Sequence, residues 1–481
     1  MDRGRGLTPF TIAALFACMA VAVQSLAVPI DGDVSWLITV AERVLGGQRL
    51  YRDIFEVNPP ASVWLYIPPV WLAQLIGARP EGAVAGTAIL AALVSIAATM
   101  RLATRLDRAP DPRWLAGIAA FLLLLYPGGL FAQREHFAAI LALPVVTGLA
   151  ISARGNRLPL RTELLLGAAA GAIAVLKPHL ALAVALPGSW AAWRCRSLRP
   201  FLPALSAAAL VLLAYAAALL LLARDYLGYI PVLRETYVPM REKWYLLLAG
   251  PVVFIPAALF ALAFVLRARP WPLLAVALFL GSAGFVLAGV IQGKGYGNHG
   301  LPGSILAFAA LACLWMTASA APERRRLVAL AAAVLLAGQL YVTHSILPRP
   351  GLAQSIRRVA PPRPSMITLG TELVTGHPAV RHVDGSWAGS RASLFIAAGV
   401  QNARPAARSP DKRRKLEQWY QADLRSFAID VARNRPDVVL VERPEKQWMF
   451  REPVLAGAMR DYRFAEQAGE IEVWIRRNRS R

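Results

Sequence analysis

The chain has 481 residues, of which 57% are apolar and 17% charged, and lysine and arginine outnumber aspartate and glutamate by 52 to 29. A soluble globular protein with so few charges is rarely this basic, and the mean hydropathy of +0.47 indicates a polytopic membrane protein instead. The basic residues alternate with long apolar runs, which excludes nucleic-acid binding as the reason for the charge, and the three distant cysteines support neither a disulfide framework nor a zinc site.

Apolar stretches of the length that crosses a membrane, about 20 residues, recur along the first three quarters of the chain. They lie near 8–28, 61–77, 82–103, 114–130, 136–153, 201–223, 246–266, 271–291, 303–320 and 327–346. With an interrupted stretch at 163–193, they predict a mainly α bundle of about 10–12 spans.

Arginine-rich short loops predict the orientation of the bundle. Arg3 and Arg5 precede the first stretch, which lacks a signal-peptide cleavage site, so it is predicted as a retained span with a cytoplasmic amino terminus. The positive-inside rule places further loops in the cytoplasm, at 154–161, 194–199, 267–269 and 324–326. Segments 131–135, 224–245, 292–302 and everything after 346 then face outward.

The stretch at 61–77 is predicted to be broken or tilted. Three apolar segments, near 61, 82 and 114, separate two loops that both face outward, and this needs an even number of crossings. Pro68 and Pro69 interrupt the first of these segments, which makes it the best candidate for an incomplete crossing.

The first outer loop, residues 29–60, contains Asp31 and Asp33 directly after the first span. Trp36 and Leu37 begin the apolar face of a predicted interfacial helix, which would hold both carboxylates at the membrane surface. Charges at that depth are costly and indicate function, although Asp31 has the alternative role of a helix cap. Glu56 in the same loop is a further candidate substrate ligand.

A carboxylate at this position has two possible roles. It can accept the proton of an attacking hydroxyl as a general base, or Asp31 and Asp33 together can hold a divalent cation, Mg or Mn, on a phosphate leaving group. The residues themselves do not choose between these roles.

Two further polar groups interrupt apolar sequence. Arg134, Glu135 and His136 stand at the mouth of a span, where they either form a solvated loop or line an outward pocket. Lys177 interrupts the stretch 163–193 and is followed by proline. Two half-helices of about 13 residues each would extend only about 20 Å apiece, which is less than the membrane core. A re-entrant hairpin with Lys177 at its apex is therefore predicted. Lys177 would bind phosphate with His179 beside it, or else extend its amine to the surface.

The segment 292–302 contains four glycines, which allow close approach of a ligand, and Lys294 and His299, which supply donors for phosphate or sugar hydroxyls. Its spacing does not match a nucleotide-binding P-loop. Tyr237 and Arg241 in the outer loop 224–245 are predicted to complete the cavity, with a membrane-surface anchor as the alternative for the aromatic residues.

From about residue 347 the apolar runs shorten to strand length, at 366–369, 438–441 and 471–475, and 411–433 has the pattern of an amphipathic helix. The sequence therefore predicts two domains: residues 1–346 in the membrane and residues 347–481 as a small soluble α/β domain on the outer face.

The first loop resembles the opening loop of the GT-C glycosyltransferases, membrane enzymes that include the protein O-mannosyltransferases and the aminoarabinose transferases. Asp33, the run Tyr51-Arg-Asp53 and the run Phe55-Glu-Val-Asn58-Pro59-Pro60 resemble the acidic residue, spacing and Pro-Pro of that loop, and Glu135 matches a second acidic outer motif. Asn58, a candidate substrate ligand, replaces a lysine of the aminoarabinose enzymes. The resemblance covers roughly residues 1–345.

This resemblance implies a multi-span enzyme of the bacterial inner membrane. The donor would be a polyprenyl-phosphate sugar, and the acceptor a hydroxyl of a glycan, a lipid or a protein on the outer face. Asp33 would be the base and Glu135 its partner, with Lys177 and Lys294 as phosphate ligands, and a single displacement would invert the anomeric centre. The competing functions are a transporter or flippase of a lipid-linked anion, which would also favour Lys177 on a broken helix, and a lipid-linked glycan polymerase or ligase.

Overall fold

The computed structural model describes residues 8–26, 30–108, 110–266, 270–345 and 351–477. Predictions that involve Arg3, Arg5, Arg267 or Arg269 concern residues outside these ranges. The chain divides into two compact units. The helical unit comprises 1–28, 82–218 and 242–346, and the mixed unit comprises 29–81, 219–241 and 347–481.

Helices make up most of the described chain. Up to residue 195 they are α1 (Pro9–Leu26), α2 (Gly32–Leu45), α3 (Ala61–Trp64), α4 (Ile67–Ile76), α5 (Pro80–Ala103), α6 (Pro112–Ala120), α7 (Arg134–Ser152), α8 (Leu160–Leu176) and α9 (Leu182–Cys195). They continue as α10 (Leu202–Leu222), α11 (Tyr226–Tyr237), α12 (Trp244–Ala249), α13 (Pro251–Val265), α14 (Leu273–Gln292), α15 (Gly297–Thr317) and α16 (Pro322–Ser345).

The carboxyl-terminal part alternates helices and strands. The helices are α17 (Leu352–Val359), α18 (Ala379–His382), α19 (Phe395–Ala403), α20 (Pro410–Asn434), α21 (Arg443–Met449) and α22 (Pro453–Ala458). The strands are β1 (Ser365–Leu369), β2 (Ser386–Trp387), β3 (Val438–Glu442), β4 (Tyr462–Ala468) and β5 (Ile471–Arg476).

Six helices in the described ranges are long and apolar enough to cross a membrane by length and composition, and four shorter apolar helices accompany them. The six lie at Pro80–Ala103, Arg134–Ser152, Arg199–Leu222, Leu273–Gln292, Gly297–Thr317 and Pro322–Thr343. The predicted polytopic, mainly α architecture is confirmed.

The predicted span at 61–77 is broken into α3 and α4, with Leu65 and Tyr66 between them. The break precedes the prolines rather than occurring at them. Pro68 and Pro69 lie in the first turn of α4, where a proline removes no helical hydrogen bond. The apolar helical segment that contains α3 and α4, Ala61–Ile76, is shorter than each of the six long helices.

The stretch 163–193 is also broken, at the predicted residue. Helix α8 ends at Leu176, and the next residue, Lys177, has an extended backbone with φ −153° and ψ 121°. Pro178 then begins a short 3-10 helix, Pro178–Ala181, that leads into α9. Lys177 therefore lies in a non-helical turn between two apolar helices.

Helix α2 differs from its prediction. We expected an interfacial helix with one apolar face, but Val34, Trp36, Leu37, Ile38 and Val40 are all buried and cover every side of its amino-terminal half. The reason is tertiary, because α2 packs within the mixed unit and buries its polar residues along with its apolar ones.

The sheet of the mixed unit has the strand order β2-β1-β3-β5-β4. β1 is parallel to β2 and β3, with Met366 opposite Val438, and β5 is antiparallel to β3 and β4. All five residues of β3 are buried, as expected for a continuous apolar strand with both faces covered. The predicted amphipathic helix is α20, which packs Leu416, Leu424 and Val431 into one core.

Candidate active site

An ion pair lies inside the helical unit. Glu135 is in the first turn of α7 and Lys177 follows the last turn of α8, and Lys177 Nζ donates to Glu135 Oε1 at 2.5 Å. The side chains are only 1% and 6% exposed. A charge this deep in a bundle of apolar helices is costly unless it is paired, and residues retained at that cost commonly serve a function.

Three other side chains surround this pair. His299, in the first turn of α15, places Nε2 3.9 Å from Glu135 Oε1. Arg134 interacts electrostatically with Glu135, and His179 with both Glu135 and Lys177. The structure thus brings together residues that the sequence separates by more than 160 positions. We call Arg134, Glu135, Lys177, His179 and His299 the polar cluster.

The polar cluster has spare hydrogen-bonding capacity. Glu135 Oε2 and His299 Nδ1 are buried and make no hydrogen bond with any described residue. Buried polar atoms in folded proteins nearly always have a partner, so these two atoms of neighbouring side chains indicate a position for water or a polar ligand. Lys177 and Arg134 place two cations beside the carboxylate of Glu135, and cationic side chains suit an anion such as phosphate.

His136 has a different environment from its neighbours. Its Nδ1 accepts from the backbone N–H of Ala132 at 3.0 Å, and its Nε2 donates to the carbonyl of Leu123 at 2.7 Å. Leu123 belongs to a π-helical turn, Phe121–Leu125, and Ala132 has a φ of 60°. Both ring nitrogens therefore anchor backbone, so the geometry favours a positioning role for His136 rather than the predicted contact with substrate.

Gln292, at the end of α14, extends the polar cluster. His179 Nε2 lies 3.3 Å from Gln292 Oε1. Lys294 follows two residues later, in the turn between α14 and α15, and is buried. Gly293 and Gly295 on either side of it have positive φ, which explains two of the glycines that the sequence singled out.

The first loop belongs to the mixed unit. Asp31 is the N-cap of α2 and its Oδ1 accepts the backbone N–H groups of Asp33 (2.7 Å) and Val34 (3.3 Å). The alternative role of Asp31 as a helix cap is therefore observed. Asp33 is half-buried in the first turn of the same helix. In the described part of the chain, no group of three or more His, Cys, Asp or Glu side chains is arranged to hold a metal ion.

Glu56 and Asn58 organise the same loop. The buried carboxylate of Glu56 accepts from the indole N–H of Trp36, from the backbone N–H of Asn58 at 2.8 Å and from Asn58 Nδ2 at 2.5 Å. Tyr237 packs its ring against Phe395 at 6.2 Å, and Arg241 follows a 3-10 helix at Val238–Met240. These four candidate ligands lie in the mixed unit, apart in the chain from the polar cluster.

Sequence reasoning did not assign Gln292 or His377. Gln292 offered a signal, because it is a polar side chain at the end of a 20-residue apolar helix. His377 offered none. It is fully buried in the mixed unit, its Nδ1 is 3.1 Å from Ser35 Oγ, and its ring packs against those of Trp36 and Trp387 at 5.2 and 4.5 Å. Only the packing of α2 in that unit could have identified it.

No protein-family model matches the chain, and no curated protein matches it either. Solved structures do. ArnT from Cupriavidus metallidurans bound to undecaprenyl phosphate has a TM-score of 0.54 at 12% identity, over 97% of this chain and 97% of that one. The apo form of ArnT has a TM-score of 0.54 at 14% identity, over 97% and 96%. The Archaeoglobus fulgidus oligosaccharyltransferase is less similar, with a TM-score of 0.47 at 11% identity over 96% and 73%.

The likeness to ArnT extends over nearly the whole of both chains, the helical bundle and the carboxyl-terminal sheet included. It therefore confirms the fold that the motifs of the first loop predicted. The chain is a multi-pass integral membrane protein with the fold of ArnT.

Proposed function

We propose that the chain is a glycosyltransferase that moves a sugar from a polyprenyl-phosphate donor to an acceptor hydroxyl on the outer face of a bacterial inner membrane. The observation that carries this proposal is the polar cluster, which is buried, places cationic side chains beside a carboxylate, and retains unused hydrogen-bonding atoms on Glu135 and His299. The fold supports it, because the similar ArnT structure contains undecaprenyl phosphate.

In the proposed reaction, the oxygen of the acceptor hydroxyl attacks the anomeric carbon of the donor. The bond from that carbon to the phosphate oxygen breaks, and its electron pair leaves with the polyprenyl phosphate. Lys177 and Arg134 stabilise the negative charge of this leaving group, while Glu135 holds the Lys177 amine in position. A single displacement of this kind inverts the anomeric configuration.

Asp33 is the proposed base, on the strength of its match to the GT-C opening loop. It takes the proton of the acceptor hydroxyl as the new bond forms. Asp31 supports α2 as its cap and holds the Asp33 backbone N–H. Lys294 and His299 are proposed to contact the donor phosphate or sugar, and the acceptor is a glycan, a lipid or a protein.

Sugar transfer by the purified protein in lipid nanodiscs tests the proposal. Undecaprenyl-phosphate sugars are supplied with candidate acceptors, and the wild type is compared with Asp33→Asn and Lys177→Met. Asp33→Asn should lower the rate about 10²- to 10⁴-fold, the usual contribution of a general base. Asp107→Asn removes an exposed carboxylate of the helical unit and should retain wild-type activity.

The same assay separates the alternatives. A wild-type rate of sugar transfer in Asp33→Asn would show that Asp33 is not the base. A product with retained configuration would rule out a single displacement. Lipid flipping without sugar transfer would make the protein a transporter. If Asp31 and Asp33 hold Mg or Mn, EDTA will abolish transfer and either ion will restore it.

A further inference from the structure

The mixed unit contains a polar pocket of about 400 Å³ outside the polar cluster. Its walls come from α2, the beginning of α5 and the segment 380–387. This volume is at the lower end of the range for small-molecule sites, roughly 300–1,000 Å³, and fits a ligand of one or two sugar rings. No residue of the pocket is used in the proposed transfer reaction.

The charges of this pocket neutralise one another. Three carboxylates and three guanidinium groups line it, and each carboxylate is paired with a guanidinium group. The third guanidinium group, that of Arg43, donates to Gln48 and to the carbonyl of Gly389 instead. Arg381 donates to Glu42 at 2.6 Å and to Glu81 at 2.9 Å, and Arg79 donates to Asp384 at 2.6 Å. Because the charges balance in number and each carboxylate is already paired, the pocket has little preference for a ligand with a net charge of either sign.

Hydrogen-bonding capacity remains after this pairing. Arg381 already donates all five of its N–H groups, to Ser35, Thr39 and the carboxylates of Glu42 and Glu81. A carboxylate accepts at about four lone-pair positions and a guanidinium carries five N–H groups, so the three carboxylates and the guanidinium groups of Arg43 and Arg79 can still bind a hydroxyl. The hydroxyl of Ser386 adds a group that both donates and accepts. A dense set of mixed donors and acceptors without net charge complements a polyhydroxyl compound.

Trp387 supplies a fixed apolar wall. Its indole N–H donates to the carbonyl of Arg391 at 3.0 Å, and its ring packs against the buried ring of His377. An aromatic ring held in this way presents flat apolar surface without loss of rotamer freedom on binding. A sugar ring has the matching surfaces, since its C–H groups form apolar patches and its hydroxyls lie around the edge.

We propose that this pocket binds a neutral saccharide. Its role rests on the proposed function, in which the saccharide is part of a glycan acceptor. Saccharide binding requires neither the polyprenyl-phosphate sugar donor nor the transfer reaction. Saccharide binding and sugar transfer can therefore be measured, and can fail, independently.

Saturation-transfer NMR on the full-length protein in nanodiscs tests the proposal. The neutral probes are mono- and disaccharides of glucose, galactose, mannose and arabinose, and the charged probes are galacturonate and inorganic phosphate. Ser386→Trp fills the pocket from edge strand β2, and Gln467→Trp places the same side chain on the opposite edge strand, β4. We expect at least one neutral probe to bind, at least tenfold more weakly in Ser386→Trp and unchanged in Gln467→Trp.

Glu42→Gln provides a second readout that removes a charge without changing the volume of the side chain. It leaves the pocket with one excess positive charge, so phosphate binding should rise from its wild-type level while neutral saccharides bind a few-fold more weakly. The proposal is overturned if no neutral saccharide binds to the wild type, if only the charged probes bind, or if both tryptophan variants bind saccharide as the wild type does.

Discussion

At the scale of single residues, Glu135 and Lys177 have the largest consequences. Lys177 was predicted to face an anion, and in the structure a carboxylate of the protein itself is that anion. Pairing explains how both charges are tolerated inside the bundle, and it also holds the lysine amine in one place. A phosphate that enters the cluster would meet a cation already oriented by Glu135.

This arrangement predicts that removing the Glu135 carboxylate lowers stability and that also removing the Lys177 amine restores part of the loss. Glu135→Gln breaks the buried ion pair between Glu135 and Lys177, so we expect a loss of about 3–5 kcal/mol in stability, the usual cost of breaking a buried pair. Adding Lys177→Met should restore part of the loss because the amine that lost this carboxylate is then removed as well. Thermal unfolding in detergent measures both changes, and a double variant less stable than Glu135→Gln would contradict the pairing.

His377 predicts that stability depends on pH. Burial, and then the positive charge of Arg381, hold the pKa of His377 well below its ordinary value near 6.5. Below about pH 6.5 the unfolded chain therefore binds a proton at this histidine, whereas the folded chain does not. The contribution of neutral His377 to the free energy of unfolding is fully present above that pH. It is lost as the pH drops, by up to about 1.4 kcal/mol per pH unit for one group.

The melting temperature between pH 7.5 and 5 checks this prediction. The comparison is with His377→Asn, which keeps a polar group next to Ser35 and does not titrate. The wild type should lose more stability than this variant as the pH falls. Parallel pH curves for the two proteins would exclude His377 as the cause, and other titrating groups contribute equally to both.

At the scale of elements, helix α8 depends on close packing against α10. An added Cβ at Gly167 would lie 2.2 Å from the carbonyl oxygen of Ala204, and backbone cannot move aside as a flexible side chain can. We expect Gly167→Ala to force the helices apart and to cost about 1–3 kcal/mol, as overpacking usually does. Because Lys177 directly follows α8, the same change should lower sugar transfer.

Gly86 on α5 is the matched control. No atom lies within 4 Å of a Cβ added there, so Gly86→Ala should stabilise its helix by about 0.5–1 kcal/mol. Thermal unfolding of both variants separates packing from helix propensity. Equal effects at the two positions would show that the contact with Ala204 does not govern the stability of α8.

The elements also differ in how far the sequence could predict them. The break at Lys177-Pro178 could be read from the chain because proline and a charge together exclude a continuous apolar helix there. The buried state of α2 could not, since its apolar pattern fits an interfacial helix equally well. Only contacts with distant residues such as His377 distinguish the two.

At the scale of the whole molecule, the orientation in the membrane is the principal prediction. The arginine-rich loops at 154–161, 194–199 and 324–326 should be cytoplasmic, and the carboxyl terminus should be outside. Alkaline phosphatase fused after residue 481 should be active, and green fluorescent protein fused there should be dark. Fusions at residue 157 should give the opposite pair of results. Fluorescence from the carboxyl-terminal fusion would show that the orientation is the reverse of the predicted one.

The sequence alone determined the class of the molecule, because span length, loop charge and the motifs of the first loop are local properties of the chain. It also identified Glu135, Lys177 and His299 one by one, since a charged or polar group next to apolar helix is conspicuous by itself. The tertiary structure decided which of these residues meet, because their contacts join helices that begin far apart in the chain. It also decided that 29–81 and 219–241 group with the carboxyl-terminal sheet, and that Asp31, Glu56 and His136 bind backbone or loop groups of the protein. Local pattern shows that a polar side chain needs a partner, and only packing supplies that partner.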